Sequence, residues 1–361
     1  MNKLKNYDVI LVVMVILLIG WSILNIYSAT IHEYTNLYIK QGLYGFVAVL
    51  IILFFPLVNY RKLLHFAPFI YALGIIMLVS VFFFGITILG AKRWISFGIF
   101  TVQPSELMKY VIILITAYIL GLKKEKVDFK TAIVVIFIVS VPFVLTVKQP
   151  DLGTAITFFI PVFFMLFAGG ISSKYIVSGI MIVLLSSPLI WNNMKDYQKK
   201  RILAFIDPQS DPFKSAYHLL QSKIAIGSGG ITGKGFLHGT QSKLFFLPEQ
   251  HTDFIFATIG EEWGFLVSFI ILSMYLLIGL RILYWSKKIK DYEGKYICIG
   301  VASLVVIQAF INIAMTVGLA PVVGITLPFL SYGGSSMITF SLMIGTVLSV
   351  IRVYKEEKLH F

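Results

Sequence analysis

The sequence predicts an all-α, polytopic membrane protein with about ten transmembrane helices. Three observations carry the prediction. Of 361 residues, 58% are hydrophobic and 13% charged, with a mean hydropathy of +0.88; a soluble domain averages roughly 45–50% apolar and about 25% charged. The apolar residues fall in continuous runs long enough to cross the hydrocarbon core as helix. Those runs do not alternate, which excludes a closed transmembrane β-barrel.

The spans are expected near residues 8–29, 41–58, 66–88, 104–121, 130–147, 152–170, 174–191, 256–284, 296–319 and 331–352. The first follows Lys3 and Lys5 as a signal peptide would. It is too long for a typical h-region and lacks a small-x-small cleavage site, so a retained anchor is expected. Gly90 to Gln103 separate the third and fourth spans, and little more than Lys148 to Asp151 the fifth and sixth. Between the seventh and eighth lies a long polar excursion, about 192–255. Residues 1–361 are expected to form a single integral membrane domain. The one cysteine, Cys298, lies in an apolar run and excludes an internal disulfide framework.

An even span count puts both termini on one side. Short segments on that side carry 17 Lys and Arg, from Lys3, Lys5, Arg61 and Lys62 to Lys355 and Lys358, whereas the opposite short loops carry only Lys40, Lys92, Arg93 and Lys148. By the positive-inside rule the termini are expected to be cytoplasmic and the excursion extracellular. Most of the +13 net charge is then topogenic, and nucleic acid is not needed to explain it. The excursion adds eight basic residues (among them Lys199, Lys200, Arg201, Lys214 and Lys223) against Asp196, Asp207, Asp211, Glu249 and Asp253. An outward cationic surface suits a phosphate-bearing ligand or anionic lipid headgroups.

Four motifs carry possible chemistry. In Gln103-Pro104-Ser105-Glu106-Leu107-Met108-Lys109, Pro104 suits a first helical turn, and Glu106 and Lys109 share a helix face. Ionisable groups at that depth either lock helices as a pair or line a wet cavity, and spacing alone fits both. Arg93-Trp94, just upstream, fits either an interfacial anchor or a ligand contact. In Lys148-Gln149-Pro150-Asp151, the carboxylate meets a helix N-terminus, where capping is the simpler role. From Gln221, Ser222 and Lys223 to Gly235, five glycines within nine residues fit a phosphate cradle or an irregular segment that needs glycine for shape. The spacing is not that of a Walker motif.

The last motif is Pro248-Glu249-Gln250-His251-Thr252-Asp253-Phe254, followed by Glu261-Glu262. Thr252 or Asp253 can cap the coming helix. Burial of Asp253 against Phe254 and its neighbours would equally raise its pKa toward that of a useful general base. Glu261 and Glu262 inside a span point to a polar cavity. His218, His238 and His251 lack compact zinc spacing, and no serine sits in a nucleophile elbow.

Together with Gly90-Ala91-Lys92-Arg93-Trp94, Gln149-Pro150-Asp151-Leu152-Gly153-Thr154 and Leu327-Pro328-Phe329-Leu330-Ser331-Tyr332-Gly333-Gly334, these motifs resemble the SEDS family (shape, elongation, division and sporulation) from Asp8 to the end of the sequence. Lys199-Lys200-Arg201 and Gly239-Thr240-Gln241-Ser242 look like its rod-shape branch rather than its division branch. Val267, Thr316 and Thr326 depart from the family pattern.

The resemblance implies a ten-helix SEDS fold and an inverting glycosyltransferase that joins lipid II to a nascent glycan strand. It also implies that Asp253 is essential, and that a class B penicillin-binding transpeptidase of the elongation machinery is the partner, among membrane lipids and without nucleic acid. Under that chemistry Asp253 is the expected base. Arg93, Lys109, Lys148, Arg201 and Lys223 are expected pyrophosphate contacts, with Arg201 the strongest because guanidinium binds phosphate bidentately. Trp94, Glu106, Asp151, Gln221, Ser222, His251, Thr252 and Glu261 complete the expected substrate site. A divalent cation, Mg2+ or Mn2+, near Glu106 or Asp151 would fit the chemistry, although the sequence has no dedicated Mg2+ site. The rival class is a flippase or transporter of lipid-linked precursor, which intramembrane Glu106, Lys109, Glu261 and Glu262 would also serve.

Overall fold

The computed structural model describes residues 6–31, 36–88, 90–98, 100–123, 126–207, 216–243, 246 and 249–359. Lys3, Lys5, Asp211, Lys214 and Pro248 of the expectations above lie outside the described residues. The chain folds as a helical bundle: α1 (Val9–Thr30), α2 (Leu37–Phe54), a short α3 (Tyr60–His65), α4 (Ala67–Phe84), α5 (Pro104–Gly121), α6 (Phe129–Lys148), α7 (Leu152–Thr157), α8 (Phe159–Ala168), α9 (Ser173–Leu185), α10 (Ser187–Asn193), α11 (Asp196–Ile206), α12 (Tyr217–Gly229), α13 (Thr240–Lys243), α14 (Ile255–Lys288), α15 (Tyr292–Val317) and α16 (Gly334–Leu359). Among the described residues, eight helices are long and apolar enough to cross a membrane. Two shorter apolar stretches, Leu152–Ala168 and Ser173–Leu189, occupy the expected sixth and seventh positions.

Aspartates cap three of the long helices. Asp8 caps α1 through Leu11 N–H and also accepts from Arg281 Nε and Trp285 Nε1, which ties α1 to α14. Asp128 caps α6 and Asp291 caps α15. α5 opens on Pro104, and α15 closes on Gly318 in the left-handed region.

The bundle has a centre and a rim. α16, α5 and α15 are 89%, 78% and 67% buried over their most apolar windows, against 17% for α4. The rim helices therefore present exposed Phe, Leu and Ile side chains where lipid would lie, and polar groups collect at the centre, shielded from it.

Two features depart from expectation. Residues 85–102, expected as span end and loop, form a three-stranded antiparallel sheet of β1 (Gly85–Ile88), β2 (Ala91–Ser96) and β3 (Thr101–Val102) in the order β1-β2-β3. It projects Arg93 from β2. The polar excursion is not an open loop but carries α11, α12 and α13, with α12 packed on α14.

The glycine segment explains that packing. Its first half is helix, and a Cβ on Gly229 would collide with the carbonyls of Gly260 and Glu261. Gly264, with φ +72°, breaks the α14 path, and a Cβ there would lie 2.6 Å from Ile231 O. The glycines thus permit backbone-to-backbone approach of α12 and its following loop to α14, not a phosphate cradle. Gly264→Ala is expected to destabilise the protein by at least about 2 kcal/mol, through both the backbone region and the collision. Gly227→Ala, on α12 with open space around it, should be neutral or gain about 0.5–1 kcal/mol. Thermal unfolding of both variants in detergent checks the contrast.

Candidate active site

Asp253 sits in the turn that leads into α14. The helix begins with Phe254 at its cap and no side-chain capping bond, so neither Thr252 nor Asp253 is spent there. Thr252 Oγ1 instead donates to Glu249 Oε2 at 2.9 Å. The three carbonyls of His251, Thr252 and Asp253 are each held, by Tyr332 N–H at 2.8 Å, Ser331 Oγ at 2.7 Å and Asn312 Nδ2 at 3.0 Å. The carboxylate is left facing Gly324, where a Cβ would lie 3.3 Å from Asp253 Oδ2 and 3.5 Å from an Arg201 guanidinium nitrogen. Carboxylate and guanidinium therefore flank one small residue, whose φ of +74° suits glycine.

The electrostatics favour a proton acceptor. Burial pushes the half-buried Asp253 carboxyl from its ordinary 3.8 up to about 6. The nearby Glu249 carboxylate pushes the same way, partly offset by Arg201; Asp151 and Arg93 add smaller opposing effects. His218, stacked on Phe254 at 6.0 Å, is lowered by burial and by Arg201, and so stays neutral.

The other expected site residues fall into three groups. Arg201 and Glu249 lie beside Asp253, and His251 and Thr252 precede it. Arg93 and Asp151 form a neighbouring clamp. Arg93 donates to the carbonyls of Gln149 and Pro150 and lies 3.5 Å from Asp151 Oδ1. Asp151 caps α7 and accepts from Gln103 Nε2 at 2.9 Å. The clamp reaches the site because Gly153 packs on the backbone of Val323, one residue before Gly324. Lys148 is exposed at the end of α6, half-buried Trp94 lies on β2, and Lys223 and Gln221 lie on α12, with Lys223 against Gly318.

The third group is occupied elsewhere. Lys109 is fully buried, with Nζ 2.6 Å from Glu106 Oε1 and 3.1 Å from Gln308 Oε1, so its ammonium is taken up by a pair inside the bundle. Ser222 is buried and donates to Thr316 O. Glu261 is buried too, and accepts from Lys234 Nζ at 2.7 Å, from both the N–H and Oγ1 of Thr240, and from Gln241 N–H. Its role is to anchor the loop after α12. Its neighbour Glu262 accepts from Ser28 Oγ of α1.

Among the described residues no group of three His, Cys, Asp or Glu side chains comes together to hold a metal ion. Asp151 is already engaged by Arg93, Gln103 and the Thr154 N–H. These residues do not form a ligand set for Mg2+ or Mn2+, and no chemical step is assigned to one.

Sequence reading missed Asn312, Gln308, Ser331 and Gly324. The available signal was the four-residue spacing of Gln308 and Asn312, which puts two amides on one face of an otherwise apolar helix.

Comparisons with known proteins agree with this fold. The FtsW/RodA/SpoVE profile, described as "cell cycle protein", matches residues 4–356. The peptidoglycan glycosyltransferase MrdB of Escherichia coli (strain K12) is 41% identical over 285 residues, covering 79% of this chain and 77% of that one. A chain from a structure titled "Structural coordination of polymerization and crosslinking by a peptidoglycan synthase complex" matches with a TM-score of 0.83 at 27% identity, covering 96% of this chain and 98% of that one. The crystal structure of the Thermus thermophilus rod shape determining protein RodA matches at 0.71 and 25% identity, covering 96% and 97%. A bundle of this kind, with its motifs in this order along nearly the whole sequence, belongs to the FtsW/RodA/SpoVE family.

Proposed function

We propose that this chain is an inverting peptidoglycan glycosyltransferase of the rod-elongation type, polymerising lipid II with Asp253 as general base. The observation that carries the reading is the raised, half-buried Asp253 carboxylate set across Gly324 from Arg201. Asp253 takes the proton of the acceptor's 4-hydroxyl as that oxygen attacks the donor sugar's C1. The C1–O bond to the lipid pyrophosphate breaks with inversion, and its electron pair leaves with the pyrophosphate. Arg201 meets the charge that develops on that leaving group. Arg93 holds the 149–151 turn against the site, and Lys148 and Lys223 extend the cationic approach.

The family relatives support the same reading at the level of activity. A class B penicillin-binding transpeptidase is the proposed partner, with both termini cytoplasmic and Asp253 at the outer face of the cytoplasmic membrane. The chain is proposed to act as one membrane domain. Purified chain with a partner whose transpeptidase is inactivated should make glycan from labelled lipid II. Transport of lipid II across liposomes without strand formation would favour a flippase instead.

The pH dependence follows from the raised carboxyl. The base works ionised, and half of it is protonated near pH 6. Polymerisation should therefore fall as the pH drops through about 6, by about tenfold per unit below it. A rate that is flat down to pH 4.5 would remove Asp253 from the role of base.

A further inference from the structure

We infer that Asn312, backed by Gln308 one turn earlier on α15, is a positioning residue that fixes Asp253 against the Gly324 segment. The inference rests on the assignment of Asp253 as base.

Asn312 is fully buried, and its Nδ2 donates twice: to Asp253 O at 3.0 Å and to Ile325 O at 2.7 Å. One side-chain amide thus bridges the residue carrying the carboxylate and the residue that follows Gly324. Because the Asp253 carboxylate and Arg201 both lie beside Gly324, this bridge sets the spacing of base, glycine and guanidinium. Gln308 repeats the arrangement one residue along the same segment. Its Nε2 donates to Thr326 O at 2.9 Å, and its Oε1 accepts from Lys109 Nζ at 3.1 Å. Thr326 Oγ1 in turn meets Ser336 Oγ at 2.9 Å, at the start of α16. The buried Glu106–Lys109 pair is therefore joined to the Gly324 segment through Gln308, and the Asp253 turn is joined to it through Asn312. Both amides stand on α15, a central and mostly buried helix, so the ladder is built on a rigid element.

A simple core polar residue would satisfy local carbonyls of its own helix. Neither Nδ2 bond of Asn312 does so; both reach other segments, and one of them ends on the proposed base. A displacement of about 1 Å at a reacting group costs up to about a hundredfold in rate, so loss of the bridge should appear in turnover before it appears in binding.

The test uses full-length chain with its transpeptidase-inactivated partner and labelled lipid II. Asn312→Leu keeps the shape and removes both donors. It should lower kcat about 10- to 100-fold with KM changed less than about threefold. The acid limb of its pH profile should move below that of the parent, because a loosened carboxylate is better solvated. Asn312→Gln, which keeps an amide donor, should recover part of the rate. Gln308→Leu should show the same signature more weakly. Should Asn312→Leu fail to fold, Ser331→Ala takes its place, since it removes the donor to Thr252 O along with the local acceptor for Leu327 N–H. A folded variant with parental kcat and an unmoved acid limb overturns the inference. Asp253→Asn separates the two levels: if it polymerises normally the base assignment itself fails, and if it is dead while Asn312→Leu is normal only the positioning role fails.

Discussion

Asp253→Asn is expected to abolish strand synthesis, by at least about 10²-fold, while making the folded protein more stable. The activity loss follows from removing the proton acceptor, since positioned general bases typically contribute about 10²–10⁴-fold. The stability gain follows from linkage. The folded state holds the Asp253 carboxyl near 6, above its ordinary 3.8, so it binds that proton more tightly than the unfolded chain does. The fold therefore suffers no such cost below about pH 4, and the cost grows as the pH rises through the interval to about 6. At neutral pH a neutral amide relieves it, by about 1–2 kcal/mol once water's access to a half-buried group is allowed for. Thermal unfolding at pH 7.5 should show the variant above the parent, with the gap closing toward pH 4. A destabilised Asp253→Asn would mean that the carboxylate supports the fold, and the case for a base held ready at stability's expense would collapse.

Lys109→Met is expected to be the most destabilising single change in the bundle centre, at about 3–5 kcal/mol. Lys109 is fully buried and Glu106 nearly so, with the pair at 2.6 Å and the ammonium also 5.7 Å from the Phe340 ring. Removing the cation leaves Glu106 charged, buried and alone. Replacing both partners, as Glu106→Leu with Lys109→Met, should recover most of the lost stability, because an apolar pair carries no desolvation cost. The double variant should still polymerise poorly, since Gln308 loses the Lys109 contact that backs it. Melting curves for the single and double variants read the first effect, and strand synthesis by the double variant reads the second. A single variant as stable as the parent would show that the pair is not a structural lock.

The membrane architecture was legible because a span announces itself by a continuous apolar run, which needs no knowledge of tertiary contacts. The cap at Asp151 was legible for a similar reason, since its partner, the Thr154 N–H, lies three residues on; Asp8, Asp128 and Asp291 cap at the same range but were not read. The sheet at 85–102 was not, because its strands are short and paired across turns that apolar counting does not register. Glu261 was read as a cavity acid, yet its partners Lys234, Thr240 and Gln241 lie 20 to 27 residues back and meet it only when α12 folds onto α14. Asp253 was legible as polar and poised, but its isolation from capping and its place opposite Gly324 depend on residues more than fifty positions later. Asn312 escaped notice because its partners, Asp253 O and Ile325 O, lie outside its own helix, and the amide of Gln308 four residues earlier does not by itself say what either one holds.

The three-residue spacing of Glu106 and Lys109 has a bearing on how the protein is made. α5 is the least apolar of the eight long spans and the second most buried of them, so it is poorly suited to lipid on its own. During synthesis it reaches the membrane long before α15 and α16, the helices that will surround it. An isolated charge costs about 2.5–3.5 kcal/mol on insertion at a helix centre, and less toward the end where Glu106 and Lys109 stand. Because both charges stand on one turn of the same helix, they neutralise each other from the moment that turn forms. The helix can then wait in the bilayer as a nearly uncharged unit, and only the amide of Gln308 has to arrive later.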